Sequence, residues 1–152
     1  MFSFYLLLKF IHIASAIVAV GANITYGVWN ARAARDPQHV SFALKGLKFL
    51  DDRIANPAYG VLLLTGLIMV FAGNIALTSL WIVVALVLFI AIAVLGFVVF
   101  TPLLREQIRL ADAGQSTSPE FERLSRRSRT LGPLLGVLVI LILAMMVFKP
   151  TL

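Results

Sequence analysis

An all-α bundle of four membrane-spanning helices is the fold this sequence predicts, and three observations carry that prediction. First, 61% of its 152 residues are hydrophobic, and the mean hydropathy is +0.98. Second, only 13% are charged, against roughly 25% in a soluble domain. Third, no Asp, Glu, Lys or Arg occurs between Lys9 and Arg32, between Arg53 and Arg105, or between Arg129 and Lys149, gaps of 22, 51 and 19 residues. A spanning helix needs about 20 apolar residues. The gaps therefore hold one span, two spans and one span. The absence of cysteine excludes a disulfide scaffold, and the composition excludes disorder and an ordinary water-soluble enzyme. One domain, residues 1–152, is expected.

The spans are placed near Phe4–Gly27, Pro57–Ala72, Leu80–Phe100 and Leu131–Phe148. Gly73, Asn74, Thr78 and Ser79 form the turn that divides the long gap. The first segment has no basic stretch before its apolar run, since Lys9 lies inside it, so it reads as a retained span rather than a cleaved leader.

Eleven of the 13 basic residues lie in the first and third connections. By the positive-inside rule those connections face the cytoplasm, and both termini and the Asn74 turn face out. The expected location is a multi-pass place in a membrane that borders the cytoplasm. The net charge of +6 is then explained by topology and anionic lipid headgroups. No nucleic-acid motif accompanies it.

Between the first two spans, Val40, Ala43, Leu44, Leu47, Leu50 and Ile54 recur at helical spacing, which predicts an amphipathic interfacial helix. Asp36–Pro37 reads as its cap and first turn, and Asn56–Pro57 as a restart into the second span. The third span should run on past a kink at Pro102 to Ala113–Gly114. A polar turn over Gln115–Ser118 follows. Thr117 with Glu120 has capping-box spacing ahead of a fourth helix bent near Gly132–Pro133. Small residues on spans two and three (Ala58, Gly60, Thr65, Gly66, Ala85, Ala91, Ala93 and Gly96) permit close helix approach, but none has the GxxxG spacing of a dimer face.

Polar groups within a span face the bundle or serve a function. Lys9, His12, Ala16, Ala19, Asn23, Tyr26 and Asn30 follow spacings of three and four and form one stripe on the first helix. Asn23, Tyr26 and Asn30 read as hydrogen-bonding partners for neighbouring helices, and Lys9 as an interface cation. His12 lies about 12 Å from the outer edge at 1.5 Å per residue. Met69, Met145 and Met146 should share its half of the bundle. Imidazole and thioether are ligands for haem iron and for copper(I), while methionine is also ordinary packing material. His39 lies in the cytoplasmic connection, so it cannot be the second ligand. Asp51, Asp52 and Arg53 read as an ion pair or anchor at the inner boundary. No catalytic set is legible.

Leu8-Lys9-Phe10-Ile11-His12, Asp52-Arg53-Ile54-Ala55-Asn56-Pro57-Ala58, Phe121-Glu122-Arg123-Leu124-Ser125 and the closing Val147-Phe148-Lys149-Pro150 resemble a bacterial group of predicted integral membrane proteins of unknown function. That resemblance implies the bacterial cytoplasmic (inner) membrane. More distantly the chain is similar to HemJ-type protoporphyrinogen oxidases and copper-resistance D membrane proteins. The HemJ likeness implies haem b, with its first-helix histidine at His12 and its lysine at Lys9. Their His-x-Lys motif is absent from Thr78-Ser79-Leu80-Trp81-Ile82-Val83, and their Asn-Glu is absent around Arg126–Arg129. Three readings follow: a haem or porphyrin binder through His12 with Lys9, Met69 or Met145; a cofactor-free carrier or accessory subunit, as a homo-oligomer or within a larger membrane complex; and a copper-handling protein through His12, Met69, Met145 and Met146.

Overall fold

A computed structural model describes residues 3–150. Six α-helices build four long rods. The first rod is α1 (Phe4–Arg35). The second is α2 (Val40–Leu50) and α3 (Asn56–Ala72), joined by a π-helical turn at Asp51–Ala55. The third is α4 (Leu80–Val94) and α5 (Thr101–Asp112), joined by a π-helical segment at Leu95–Phe100. The fourth is α6 (Pro119–Phe148). All four rods, of 30 to 33 residues, are long and apolar enough to cross a membrane. At 1.5 Å per residue they are about 45–50 Å long, against a hydrocarbon core of about 30 Å.

The rods sort the two ends of the bundle. Ser3, Pro150 and the turn after α3 lie at one, the terminal end. The connections α1–α2 and α5–α6, with eleven basic residues in and beside them, lie at the other, the basic end. All six ion pairs among the described residues are at the basic end. One of them, Lys45 Nζ to Asp112 Oδ1 at 2.8 Å, ties α2 to α5.

The second rod does not restart at Asn56–Pro57. Its helix runs unbroken from Val40 to Ala72. Proline cannot return an N–H to the carbonyl four residues back. Here the turn before it widens, and Asn56 N–H reaches the Asp51 carbonyl five residues back. The third rod repeats the device ahead of Pro102, where Thr101 N–H reaches the Gly96 carbonyl. Such widened turns are uncommon and cluster at functional positions.

Two caps also differ from the sequence reading. Ser118, not Thr117, caps α6, its hydroxyl accepting from Phe121 N–H at 3.1 Å. Pro119 occupies the first helical position, which leaves Ser118 as the last residue outside. Asp36 does not open α2, which begins at Val40. Its carboxylate instead accepts from His39 N–H and from His39 Nδ1, at 3.3 and 2.8 Å, closing a local turn. The ring's hydrogen bond holds the Asp36 carboxyl below the usual carboxylate range.

In packing, α1 lies against α2, α3 and α6; α6 also lies against α4 and α5, and α2 against α5. The consecutive helices α3 and α4 make no close backbone approach. They meet through Tyr59 and Phe89, edge to face at 6.1 Å. The most deeply buried large side chains, Phe100, Leu44, Leu47, Leu104 and Leu110, all belong to α2, α5 and the π-segment before α5. Phe10, Ile17, Phe71, Val87 and Val147 are exposed, as befits side chains that meet lipid.

Candidate functional site: the polar spine of the first helix

The α1 stripe meets the second rod at three levels. Nearest the terminal end, His12 Nδ1 lies 3.0 Å from Thr65 Oγ1. The Thr65 hydroxyl in turn donates to the Val61 carbonyl at 2.6 Å. A hydroxyl has one proton to give. With that proton given to Val61, the Thr65 oxygen is left to accept, an arrangement that suits a proton on Nδ1 and a lone pair on Nε2. No hydrogen bond engages Nε2 among the described residues. Gly66 fits the ring closely, since a Cβ there would stand 3.1 Å from His12 Cε1.

One level down, Asn23 Nδ2 donates to the Tyr59 hydroxyl and, at 3.0 Å, to its own helix at the Ala19 carbonyl. At the third level the Tyr26 hydroxyl donates to Asp51 Oδ1 at 2.9 Å. The Tyr26 ring stacks on Phe100 with centroids 6.0 Å apart and planes 10° from parallel. Tyr26 thus touches both π-helical segments. Asn30 turns back on α1, donating to the Tyr26 carbonyl at 3.1 Å.

The remaining candidates are more dispersed. Lys9 is exposed one turn from His12, and Met69, Met145 and Met146 are half-buried. Met69 lies on α3 one turn beyond Thr65 and Gly66, whereas Met145 and Met146 lie on α6, a helix that does not pack against α3. The partners gathered at His12 are Thr65 and Gly66 rather than a group of methionines. His39 lies in the exposed turn at the opposite end. No three His, Asp or Glu side chains group as metal donors among the described residues.

Asp51 is the residue the sequence reading misplaced, as part of a boundary ion pair or anchor. Asp52 forms the expected kind of ion pair, with Lys48 one turn back. Asp51 faces the other way, into the core, and its Oδ2 has no partner among the described residues. The signal was spacing: Val40, Ala43, Leu44, Leu47, Asp51, Ala55 and Ala58 are all buried. Within that series, the α-helical step of four from Leu47, closed by the Asp51 N–H to the Leu47 carbonyl, brings a carboxylate to the inner face.

Rods of this length and hydropathy, with a buried polar spine between them, define a multi-pass helical integral membrane protein. A family model described as a predicted integral membrane protein (DUF2269) matches residues 6–150, and the chain belongs to that family. No curated protein and no solved structure matches it.

Proposed function

We propose that this membrane protein holds haem b or a related porphyrin through His12, in the half of the bundle that carries the chain termini. One observation carries the reading. His12 Nδ1 lies 3.0 Å from Thr65 Oγ1, whose own proton has the Val61 carbonyl to go to, an arrangement that suits a proton on Nδ1 and leaves Nε2 as the donor atom. A ligating imidazole needs this arrangement, because its other nitrogen fixes tautomer and ring direction. The site fits at the level of donor chemistry: His12 supplies the imidazole, and Lys9 one turn away would supply a cation for a propionate. Met69, one turn beyond Thr65 on α3, is the thioether on the neighbouring rod, while Met145 lies on α6. Bound there, haem would supply one-electron redox capacity. The protein's part is to hold the imidazole neutral and oriented. The resemblance to HemJ-type proteins supports the same reading, with the basic end in the cytoplasm and the site toward the outer face of a bacterial inner membrane.

A second reading is favoured by a different observation. Asn23 and Tyr26 spend their polar groups on Tyr59 and Asp51, as structural residues do, which supports a cofactor-free carrier or accessory subunit.

The absorbance spectrum of purified protein from haem-replete cells separates the readings. A Soret band lost in His12→Ala, retained in His39→Ala and weakened in Thr65→Val is the expected result. Colourless protein would overturn the haem reading in favour of the second, and stoichiometric copper would favour the copper reading.

A further inference from the structure

Two cavities meet at Arg129, toward the basic end and away from His12. One is polar, about 300 Å³, enclosed by α1, α2, α5 and α6, with Asn30, Gln107, Glu122 and Ser125 in its walls. The other is an apolar groove of about 800 Å³ between α1 and α6, running from Arg35 and Arg129 to Leu141. They share Asn30, Ala34 and Arg129. Gly132 and Gly136 lie in the groove, and a Cβ at either would meet nothing within 4 Å. This pair has the GxxxG spacing that spans two and three lack, on the fourth.

Each cavity also has a buried polar side chain without a full set of partners. Gln107, 2% exposed, donates from Nε2 to Ser125 Oγ at 3.0 Å, while its Oε1 has no partner. Ser128, 1% exposed, lines the groove, and its hydroxyl has none either. Buried polar atoms are nearly always satisfied, and an orphan acceptor calls for a donor.

We propose that the joined cavities bind one membrane glycerophospholipid, with an acyl chain in the groove, its phosphate at Arg129 and a hydrogen-bond donor of its headgroup at Gln107 Oε1. The groove's length fits a single leaflet. Arg129 to Leu141 is about 18 Å of helix, just over half of a hydrocarbon core of about 30 Å. Its charge fits as well. Arg129 is held only loosely, by Glu122 and by the Ser125 carbonyl, both at 3.4 Å, so its guanidinium keeps donors free for a phosphate. Glu122 disfavours a bare anion and favours a headgroup that carries donors beyond its phosphate. An ethanolamine ammonium or a glycerol hydroxyl meets both needs, and a choline, which has no donor, does not.

The test is native mass spectrometry of the full chain, delipidated and then equilibrated with bicelles containing phosphatidylethanolamine, phosphatidylglycerol or phosphatidylcholine. One retained equivalent of either donor-bearing lipid, about tenfold preferred over phosphatidylcholine, is expected. Gln107→Leu should erase the headgroup preference, and Arg129→Gln should weaken retention of all three. Gly136→Leu should fill the groove and abolish retention. Gly60→Leu, on α3 at a position where a Cβ is equally unopposed, should retain lipid and report on folding. Equal retention of all three lipids by wild type, or undiminished retention by Gly136→Leu, would overturn the proposal. So would a lipid-free dimer whose cross-links run through Gly132 and Gly136, since the groove would then hold a second copy.

Discussion

The two ends of this bundle are built by different rules. At the basic end, α2 and α5 bring a wedge of leucines against α1 and α6. Leu47 and Leu104 are both 0% exposed. At the terminal end, α1 pairs with α3 and α6 with α4, while the consecutive helices α3 and α4 stay apart. Rods about 15 Å longer than the hydrocarbon core explain the contrast. Water at the protruding end drives apolar side chains together. Within the hydrocarbon region, lipid tails solvate leucine as well as another helix does, so association falls to close packing and polar bonds. The spine of His12, Asn23 and Tyr26 supplies those bonds where the hydrophobic effect does not.

The largest effect expected from this contrast is a difference between two truncations. Leu104→Ala should cost about 2–5 kcal/mol, whereas Val87→Ala, on the lipid-facing side of α4, should change stability by less than about 0.5 kcal/mol. Thermal unfolding in one detergent measures both, and equal losses would break the two-rule account. Next comes Tyr26→Phe. It leaves the buried Asp51 carboxylate without its hydrogen bond and should cost about 1–3 kcal/mol. Adding Asp51→Asn should recover part of that loss, and a strictly additive double variant would show that the two residues do not act as a pair.

A smaller effect tests the fit at His12. Gly66→Ala places a Cβ 3.1 Å from the ring. The ring should shift by a few tenths of an ångström, visible as a changed Nδ1 chemical shift. In a His12→Ala background the obstruction is gone, and the same substitution should stabilise by up to about 1 kcal/mol through helix propensity. The smallest effect belongs to the exposed turn at Asp36. Its carboxyl is held below the usual range by His39. The contribution is therefore fully present above the usual carboxylate pKa and is lost as pH falls through the lowered value. Hydrogen-exchange protection of the His39 amide should decline below about pH 4 and leave the rest of the bundle unchanged.

These positions also mark how far the sequence could be read. Charge gaps and turn residues locate the four rods, because lipid leaves no other place for charge. The α1 stripe is legible for a similar reason: over 32 residues of uninterrupted α-helix, spacing translates directly into direction. The second rod defeats the same method. Counting 47, 50, 54 at α-helical spacing puts Leu50 and Ile54 on the inner face, yet Ile54 is 38% exposed while Asp51 and Ala55 are buried. The buried series 47, 51, 55 and 58 also steps by three and four, so counting offers two adjacent faces and favours the one without a carboxylate. His12's partners were illegible for another reason. Thr65 and Gly66 are unremarkable as residue types, and only the approach of α3 to α1 makes them a hydrogen-bond acceptor and a space.

The widened turns before Pro57 and Pro102 make chain length a constraint that differs along each rod. A π turn holds about one residue more than the α turn it replaces. The widened turn absorbs that residue, so a deletion within Asp51–Ala55 can close to regular winding, whereas a deletion in the regular winding of α2 would rotate everything beyond it by about 100°. Ala58 and Thr65, both buried, would swing toward lipid, and Thr65 would leave His12. Every side chain of α3 would survive such a deletion chemically intact while losing its neighbours. The second rod should therefore accept substitutions at many lipid-facing positions far more readily than the gain or loss of a single codon in α2.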